Sequence, residues 1–327
     1  MKSISLEYYS MKVLKEPEEK DKGAIILSQV VSIVSKFPFI KDRFYIIERR
    51  AWRGLNEAKN ADIKLVEDLS FWDETIKNFP NAICLDIGPA DFVDTDFFKP
   101  LEIEKPYDGI QVSQWAQFKR PELFIRATGL IPKRKFTKSG HFVERGSENE
   151  IALKNSMMEL VKETGANIDF PHKDAKDNKS LPGSKKEMNI YINKAKIGIL
   201  TTEVEGINRF KMECLSAGIP VLVPKDTSYP TKKHINDSTG ILFDPTPEGL
   251  AKAIEEILSN LKKYSPREYI LQNTGKKKSL EKLKGALKQL CLRDKEPFCF
   301  EDIDWDGRNQ SLIWGKHVFE ELGRYAQ

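Results

Sequence analysis

The sequence predicts an α/β protein: two Rossmann-like parallel-sheet domains, the first of them small, followed by C-terminal helices. Three observations lead there. The chain has 327 residues, which at roughly 150 residues per domain is a length for about two. From residue 107 onward, short β-branched runs alternate with helical patterns of about 10–15 residues, the signature of a parallel sheet covered on both faces. Between the halves, Pro100-Leu-Glu-Ile-Glu-Lys-Pro106 carries a proline at each end. That stretch disfavours helix and cannot serve as a central strand, so it reads as a linker.

Residues 1–106 are expected to form a short α/β domain with the linker at its end. Ala24, Leu27, Val30, Val31 and Val34 stripe one helix, with Ser28, Gln29, Ser32 and Ser35 on its other side. Candidate strands follow at Phe44–Ile47, Ile63–Val66 and Ala82–Leu85. The second domain, 107–262, has strand candidates Gly109–Val112, His141–Val143, Asn167–Phe170, Ile197–Leu200, Pro220–Val223 and Gly240–Phe243. Helices are expected between them at Pro121–Thr128, Glu148–Thr164, Ser184–Lys194 and Asn208–Ala217. Ser184 with Glu187 is a capping box. Thr246-Pro247-Glu248 offers an N-cap, a proline at the first helical position and an acid at the positive helix end. Leu250, Ala253, Ile254, Ile257, Leu258 and Leu261 then share one face. The remainder, 263–327, reads as a helical extension. Lys276–Lys295 holds eight Lys/Arg against Glu281 and Asp294, with Leu280, Leu283, Leu287 and Leu290 on its apolar side. A last helix is expected over Leu312–Ala326.

Composition excludes several classes. Fifty-three Lys+Arg against 49 Asp+Glu leave a net charge of +4, too balanced for a protein that coats polyanions. No apolar run exceeds four residues, against the roughly 18 needed to cross a bilayer. The N-terminal stretch has no apolar segment of signal-peptide type. Cys84, Cys214, Cys291 and Cys299 form no CxxC pair and read as reduced thiols, which points to a cytoplasmic protein. No GxGxxG or GxxxxGK[ST] occurs, which argues against dinucleotide oxidoreductases and P-loop NTPases.

The richest stretch runs Thr201-Thr-Glu-Val-Glu205-Gly206-Ile207-Asn208-Arg209-Phe-Lys-Met-Glu213-Cys-Leu-Ser-Ala-Gly218-Ile-Pro220-Val-Leu-Val. A buried strand feeds a turn, the turn opens a helix, and the helix ends at Gly218 before another strand. In open α/β sheets, ligands bind beyond the carboxyl ends of strands, where loops meet helix N-termini. The amides of Gly206, Ile207 and Asn208 are placed to receive a phosphate, helped by the helix dipole. Glu205 and Glu213 are acceptors suited to hydroxyl pairs on sugars.

Glu205 through Glu213 resembles the E-x7-E signature of the retaining family-4 glycosyltransferases, which have the two-domain GT-B fold. Other segments resemble the same family. Val93-Asp-Thr-Asp-Phe-Phe-Lys-Pro100 looks like its interdomain "VDTxxFxP" segment. Val112-Ser113-Gln114-Trp-Ala-Gln-Phe-Lys119-Arg-Pro-Glu-Leu looks like the first strand–loop–helix of its donor domain. Ile235-Asn-Asp-Ser-Thr-Gly-Ile-Leu-Phe and Ile303-Asp-Trp-Asp resemble its "dG.nGllv" and "fsW" elements. The likeness covers roughly 60–320 and is strongest over 107–262.

The resemblance implies two domains facing a cleft, with 107–262 holding the nucleotide-sugar donor and 1–106 on the acceptor side. It implies transfer of a sugar to a hydroxyl acceptor, glycan or lipid-linked, with retention of configuration and without a metal or other cofactor. Lys119 and the amides after Glu205 would hold the diphosphate, Glu205 the donor sugar and Glu213 the ribose hydroxyls. The sequence departs from the family at Ser113 and Gln114, where Gly-Arg is usual, so one charge-assisted phosphate contact is missing. Lys119 and Arg209 are the candidates to compensate. The first domain also lacks the family's glycine-rich loop, and all four histidines (His141, His172, His234, His317) lie after it. A non-catalytic nucleotide-sugar binder, or a partner subunit of a glycosyltransferase, is the alternative.

Other signals carry less. Asp94-Thr-Asp96 is a DxD motif, but it sits inside the linker match. Asp302–Gly307 begins like a calcium loop, yet Ile313 stands where a bidentate glutamate belongs. The histidines have no metal-ligand spacing. The basic helix at 276–295 reads first as a solvated amphipathic helix packing on the core. A second reading is peripheral contact with an anionic membrane. Nucleic-acid binding is disfavoured because no aromatic residues interleave the lysines.

Overall fold

A computed structural model describes residues 9–49, 60–141, 147–171, 184–307 and 312–326. In chain order the first strands and helices are β1 (Ser10–Lys15), β2 (Gly23–Leu27), α1 (Val30–Lys36), α2 (Ile40–Arg43), β3 (Phe44–Glu48), β4 (Ile63–Leu65), α3 (Trp72–Asn78) and β5 (Ile83–Leu85). Next come β6 (Tyr107–Gln114), α4 (Pro121–Gly129), β7 (Phe136–His141), α5 (Glu148–Thr164), β8 (Ile168–Asp169), α6 (Lys185–Asn193), β9 (Ala195–Ile199) and α7 (Arg209–Ser216). The chain continues through β10 (Val221–Pro224), α8 (Tyr229–Lys232), β11 (Gly240–Phe243), α9 (Pro247–Ser259), α10 (Pro266–Asn273), α11 (Gly275–Asp294), β12 (Ile313–Trp314) and α12 (Lys316–Gly323). They divide into two compact units, one of Met1–Phe92 with Lys276–Gln327 and one of Val93–Gly275. These bounds fall at 92/93 and 275/276, where the sequence reading placed divisions at 106/107 and 262/263.

The first unit is a six-stranded mixed sheet in the order β12-β1-β2-β3-β4-β5, parallel from β2 to β5 and antiparallel at β1 and β12. The single helix expected over 24–34 is instead a strand followed by a helix. The run Gly23–Leu27 is buried at every position, and its side chains alternate between two cores. Ala24 and Ile26 join Tyr45, Ile47, Ile63 and Leu65, while Ile25 and Leu27 join Phe44 and Ile46. A strand covered on both faces loses its polar/apolar alternation, so helical spacing can be read into it. The expected helix over 312–326 is likewise divided, because Ile313 pairs with Met11 and puts β12 at the sheet edge. Glu48 and Lys64, directly opposite in the β3–β4 register, form a fully buried ion pair.

Helix α11 closes one face of this sheet. Leu280, Leu283, Leu287 and Leu290 are buried with Phe300 and Trp305 in the first of the two cores, and Trp305 packs on Phe92 with ring centroids 4.6 Å apart. The apolar side of the basic helix is therefore covered, as expected of an amphipathic helix docked on a core. Among the described residues no helix is long and apolar enough to cross a membrane.

The second unit is a fully parallel sheet in the order β11-β10-β9-β6-β7-β8. The chain starts in the middle at β6, steps outward through β7 and β8, then returns to β9 on the other side of β6. This is the doubly wound order, with its reversal between β6 and β9. Helices α4, α5 and α9 cover one face, where Leu123, Phe124, Met157, Leu160, Leu250 and Ile254 meet Ile197 and Ile199. Gly198 points the opposite way, and a Cβ there would lie 2.9 Å from Cys214 Sγ. Helix α7 thus packs on the other face at a distance only glycine permits. The second strand of this unit, β7, begins at Phe136, not at His141; Phe142 and Val143 lie outside the described residues, as does His172.

The Val93–Pro100 segment is tied into the second unit through its carbonyls. Asn189 donates to Phe97 O, Asn193 to Lys99 O, Ser216 to Phe98 O, and Arg267 to Thr95 O and Phe98 O. Asp94 accepts from the Phe97 amide in a local turn.

Burial on α11 separates its leucines. Leu287→Ala is expected to cost about 2–5 kcal/mol of stability in denaturant unfolding. Leu292→Ala, at a position 72% exposed, should change it by no more than about 0.5 kcal/mol.

Candidate active site

The reversal between β6 and β9 sends the loops after these two strands in opposite directions, and the candidate residues lie on those loops. After β6 the chain makes a short 3-10 turn, Gln117–Lys119. After β9 it runs through Thr201 and Thr202 to Glu205 and into α7. The loops are sewn together: Glu203 N donates to Phe118 O (2.8 Å), Thr201 Oγ1 to Lys119 O (2.6 Å), and Gln111 Nε2 to Thr201 Oγ1 (2.9 Å).

Arg120 is the strongest tie. Its Nε donates to Thr201 O at 2.7 Å, and its two terminal nitrogens grip Asp226 at 2.8 Å each. The guanidinium in turn holds the Asp226 carboxyl below the usual carboxylate range. Arg120 has φ 47°, in the left-handed region, immediately before Pro121. A side chain there is strained, by an amount of order 1–3 kcal/mol, and persists because these contacts over-determine it.

Lys119 is 7% exposed. Its Nζ lies 2.9 Å from Glu205 Oε1. The other carboxylate oxygen, Oε2, accepts from Asn208 Nδ2 at 2.6 Å. Asn208 is also the N-cap of α7, accepting from Lys211 N at 2.8 Å. One side chain therefore starts the helix and orients Glu205. The backbone of Glu205 is fixed from the loop after β10. Its amide donates to Ser228 Oγ (3.0 Å), and its carbonyl accepts from Ser228 and from Thr231 Oγ1 (3.1 Å). That loop is held in place by Lys211, whose fully buried ammonium donates to the carbonyls of Pro230, Thr231 and Lys233.

Lys119, Glu205, Asn208 and Ser113 line one cavity with Gln111 and Thr202. It has about 10 Å³ of free space, room for about one water molecule. The Lys119–Glu205 pair thus fills the switch point. Gln111 Oε1 is buried there without a hydrogen-bond partner among the described residues. The other sequence-predicted residues lie nearby without lining this cavity. Gly206 and Ile207 are buried at the approach to α7, Arg209 and Gln114 are half-buried, and Glu213 is buried in the second turn of α7. A larger hollow of about 690 Å³ lies beyond the 116–118 turn, lined by Trp115, Phe118, Asn149 and Leu153. It contains neither Lys119 nor Glu205.

The sequence reading missed a second lysine. Lys138, in the middle of β7, is 1% exposed. Its Nζ donates to Ser113 Oγ at 2.8 Å and sits 4.7 Å from the centroid of the Trp115 ring. Desolvation, reinforced by the nearby Lys119 charge, lowers its pKa to about 7. The Trp115 ring lies against the β7 backbone at Gly140, where a Cβ would stand 2.3 Å from the indole nitrogen. A lysine inside a strand flanked by threonine and serine was the available signal. Arg120 and Lys211 left none beyond their charge.

The profile of the glycosyl transferases group 1 matches residues 92–278. No curated protein matches the chain. Among solved structures, sucrose-phosphate synthase from Thermosynechococcus elongatus is 14% identical with a TM-score of 0.61, covering 81% of this chain and 73% of its own. HepE of Anabaena, solved with UDP and glucose, is 12% identical with a TM-score of 0.60, covering 79% and 75%. The pneumococcal O-GlcNAc transferase GtfA, solved with UDP and GlcNAc, is 14% identical with a TM-score of 0.57, covering 80% and 55%. At these identities the likeness shows the fold, two α/β domains of the GT-B class.

Two stability measurements check the geometry. Asn208→Ala removes the cap of α7 and should cost about 0.5–2 kcal/mol in denaturant unfolding. Lys138 titrates near 7 when folded and near its ordinary 10.5 when unfolded, so between those values the unfolded chain binds the extra proton. Stability should therefore rise with pH from about 7 toward 10, and Lys138→Met should abolish that rise.

Proposed function

Because the chain belongs to the glycosyl transferases group 1 family, we propose that it moves a sugar from a nucleotide-sugar donor to a hydroxyl acceptor, with the diphosphate bound at the β6/β9 switch point. The observation that carries this reading is the ion pair of Lys119 with Glu205 at 2.9 Å, on a carboxylate that the N-cap of α7 also holds. A buried ammonium and a helix N-terminus converge where a doubly wound sheet opens. Structural neighbours solved with UDP and a sugar support the same donor class.

In the reaction the bond between the anomeric carbon and the β-phosphate oxygen breaks, its electron pair going to the phosphate. The acceptor oxygen bonds to that carbon and gives its proton to an oxygen of the departing diphosphate. Negative charge grows on the departing diphosphate, and groups fixed in advance stabilise it without reorganisation. Lys119 is such a group. A diphosphate arriving at the cavity competes with Glu205 for it. Glu205 Oε1, released from the ion pair, is then an ionised acceptor for donor-sugar hydroxyls, still oriented by Asn208. Gly206, Ile207 and Asn208 supply amides on the phosphate side. Glu213 is assigned the ribose hydroxyls, following the family-4 resemblance. Retention of configuration follows the same resemblance, and the reading calls for no metal because Lys119 and the α7 N-terminus provide the positive charge. The acceptor is a glycan or a lipid-linked hydroxyl.

Calorimetry with a panel of nucleoside diphosphates, paired with donor hydrolysis and transfer assays, tests the assignment. Glu205→Ala should lower turnover by about 10²–10³-fold or more, while nucleotide affinity changes less than about tenfold. Glu213→Ala should weaken nucleotide binding by about ten- to a hundredfold. Normal turnover in both variants refutes the site. Nucleotide binding by the unaltered protein with no turnover of any donor favours a non-catalytic nucleotide-sugar binder.

A further inference from the structure

We propose that Lys138 is a second cation of the phosphate site, acting through Ser113. This rests on the donor reading above and adds to it a residue from a different strand. Ser113 and Lys138 come together because β6 and β7 pair in parallel with Val112 opposite Ser139 and Ser113 opposite Gly140. The ammonium of Lys138 donates to Ser113 Oγ at 2.8 Å. Ser113 therefore accepts on that side, and its own proton is left to donate elsewhere. Ser113 lines the cavity that holds Lys119, Glu205 and Asn208, so that proton can be given to an oxygen placed there.

Charge arithmetic at the switch point favours an anion. Of the two buried lysines, Lys119 is matched by Glu205. Lys138 has no carboxylate within ion-pair distance among the described residues, only a hydroxyl and the Trp115 ring. Burying an ammonium is costly unless geometry and charge compensate it, and burial together with the nearby Lys119 charge pushes the Lys138 pKa down. A group this costly to keep is expected where function uses it. A phosphate oxygen accepting from Ser113 would bring the negative charge that Lys138 lacks and place it beside Lys119 as well.

The test uses the full-length protein and two probes, inorganic pyrophosphate and UDP, with binding measured by calorimetry. Lys138→Met keeps the side-chain volume and removes the charge. It should weaken both probes by tenfold or more while leaving the melting temperature at pH 7 unchanged or raised, since a buried charge is gone. A lysine with only a structural role would lower the melting temperature instead. Ser113→Ala should weaken both probes too, and the double variant should bind no more weakly than Lys138→Met alone, because the two act as one unit. If Lys138→Met fails to fold, Ser113→Ala decides, and unchanged affinity there overturns the proposal. Unchanged affinity in Lys138→Met overturns it while leaving the donor site standing. Pyrophosphate binding that needs Lys138, without UDP or any other nucleoside diphosphate binding, keeps the lysine's role and removes the nucleotide-sugar reading. Binding of neither probe by the unaltered protein overturns both.

Discussion

The reversal of strand order between β6 and β9 is the constraint on which the site depends. Parallel strands carry their ligands at the carboxyl ends, and only at a reversal do neighbouring loops part and leave space between them. Here that space is occupied by an ion pair. Lys119 and Glu205 each come from one of the diverging loops, and their contact bridges the gap that the topology opens. A pair of this kind gains little net stability once both charges are desolvated. What distinguishes it is its position, at the point where the topology opens the sheet.

Around that pair, most of the local structure serves to fix it. Arg120, on the loop after β6, accepts a strained backbone conformation while binding the loop after β9 and Asp226. Lys211 donates to backbone carbonyls of the β10–α8 loop and just beyond it, and that loop holds Glu205 through Ser228 and Thr231. Two buried or half-buried cations are thus structural while two others, Lys119 and Lys138, face the cavity or its lining. Counting basic residues in the sequence could not separate these roles, because the difference lies in the partners that each charge meets in the folded chain.

Much of the second unit was legible because its local signals agree. The Ser184–Glu187 capping box, the Thr246 N-cap with Pro247 and the strand–turn–helix around Glu205 all form where the sequence placed them. Periodicity failed where burial is two-sided. Gly23–Leu27 feeds two cores at once, so its strand repeat vanished into an apolar run that lines up at helical spacing with Val30, Val31 and Val34 of α1. Strand β12 was invisible for another reason: it has only two residues and owes its conformation to pairing with Met11, some three hundred residues away. Lys138 escaped notice because a lysine in a strand reads as solvent-facing until the neighbouring strand and the Trp115 ring are seen to cover it. Glu205, by contrast, stood out through its strand–turn–helix context, a local property that the structure reproduces.

The first unit is discontinuous: its core needs α11, which the chain reaches only after the second unit is complete. On a ribosome the β2–β5 sheet would therefore emerge with one apolar face bare, and would keep it bare while the whole of Val93–Gly275 was being made. The inserted unit has all its own contacts in one uninterrupted stretch and is free to fold first. Translation order is thus opposed to the order in which the two units can complete their cores, and the N-terminal sheet stays open to chaperones or to aggregation until α11 and α12 are made.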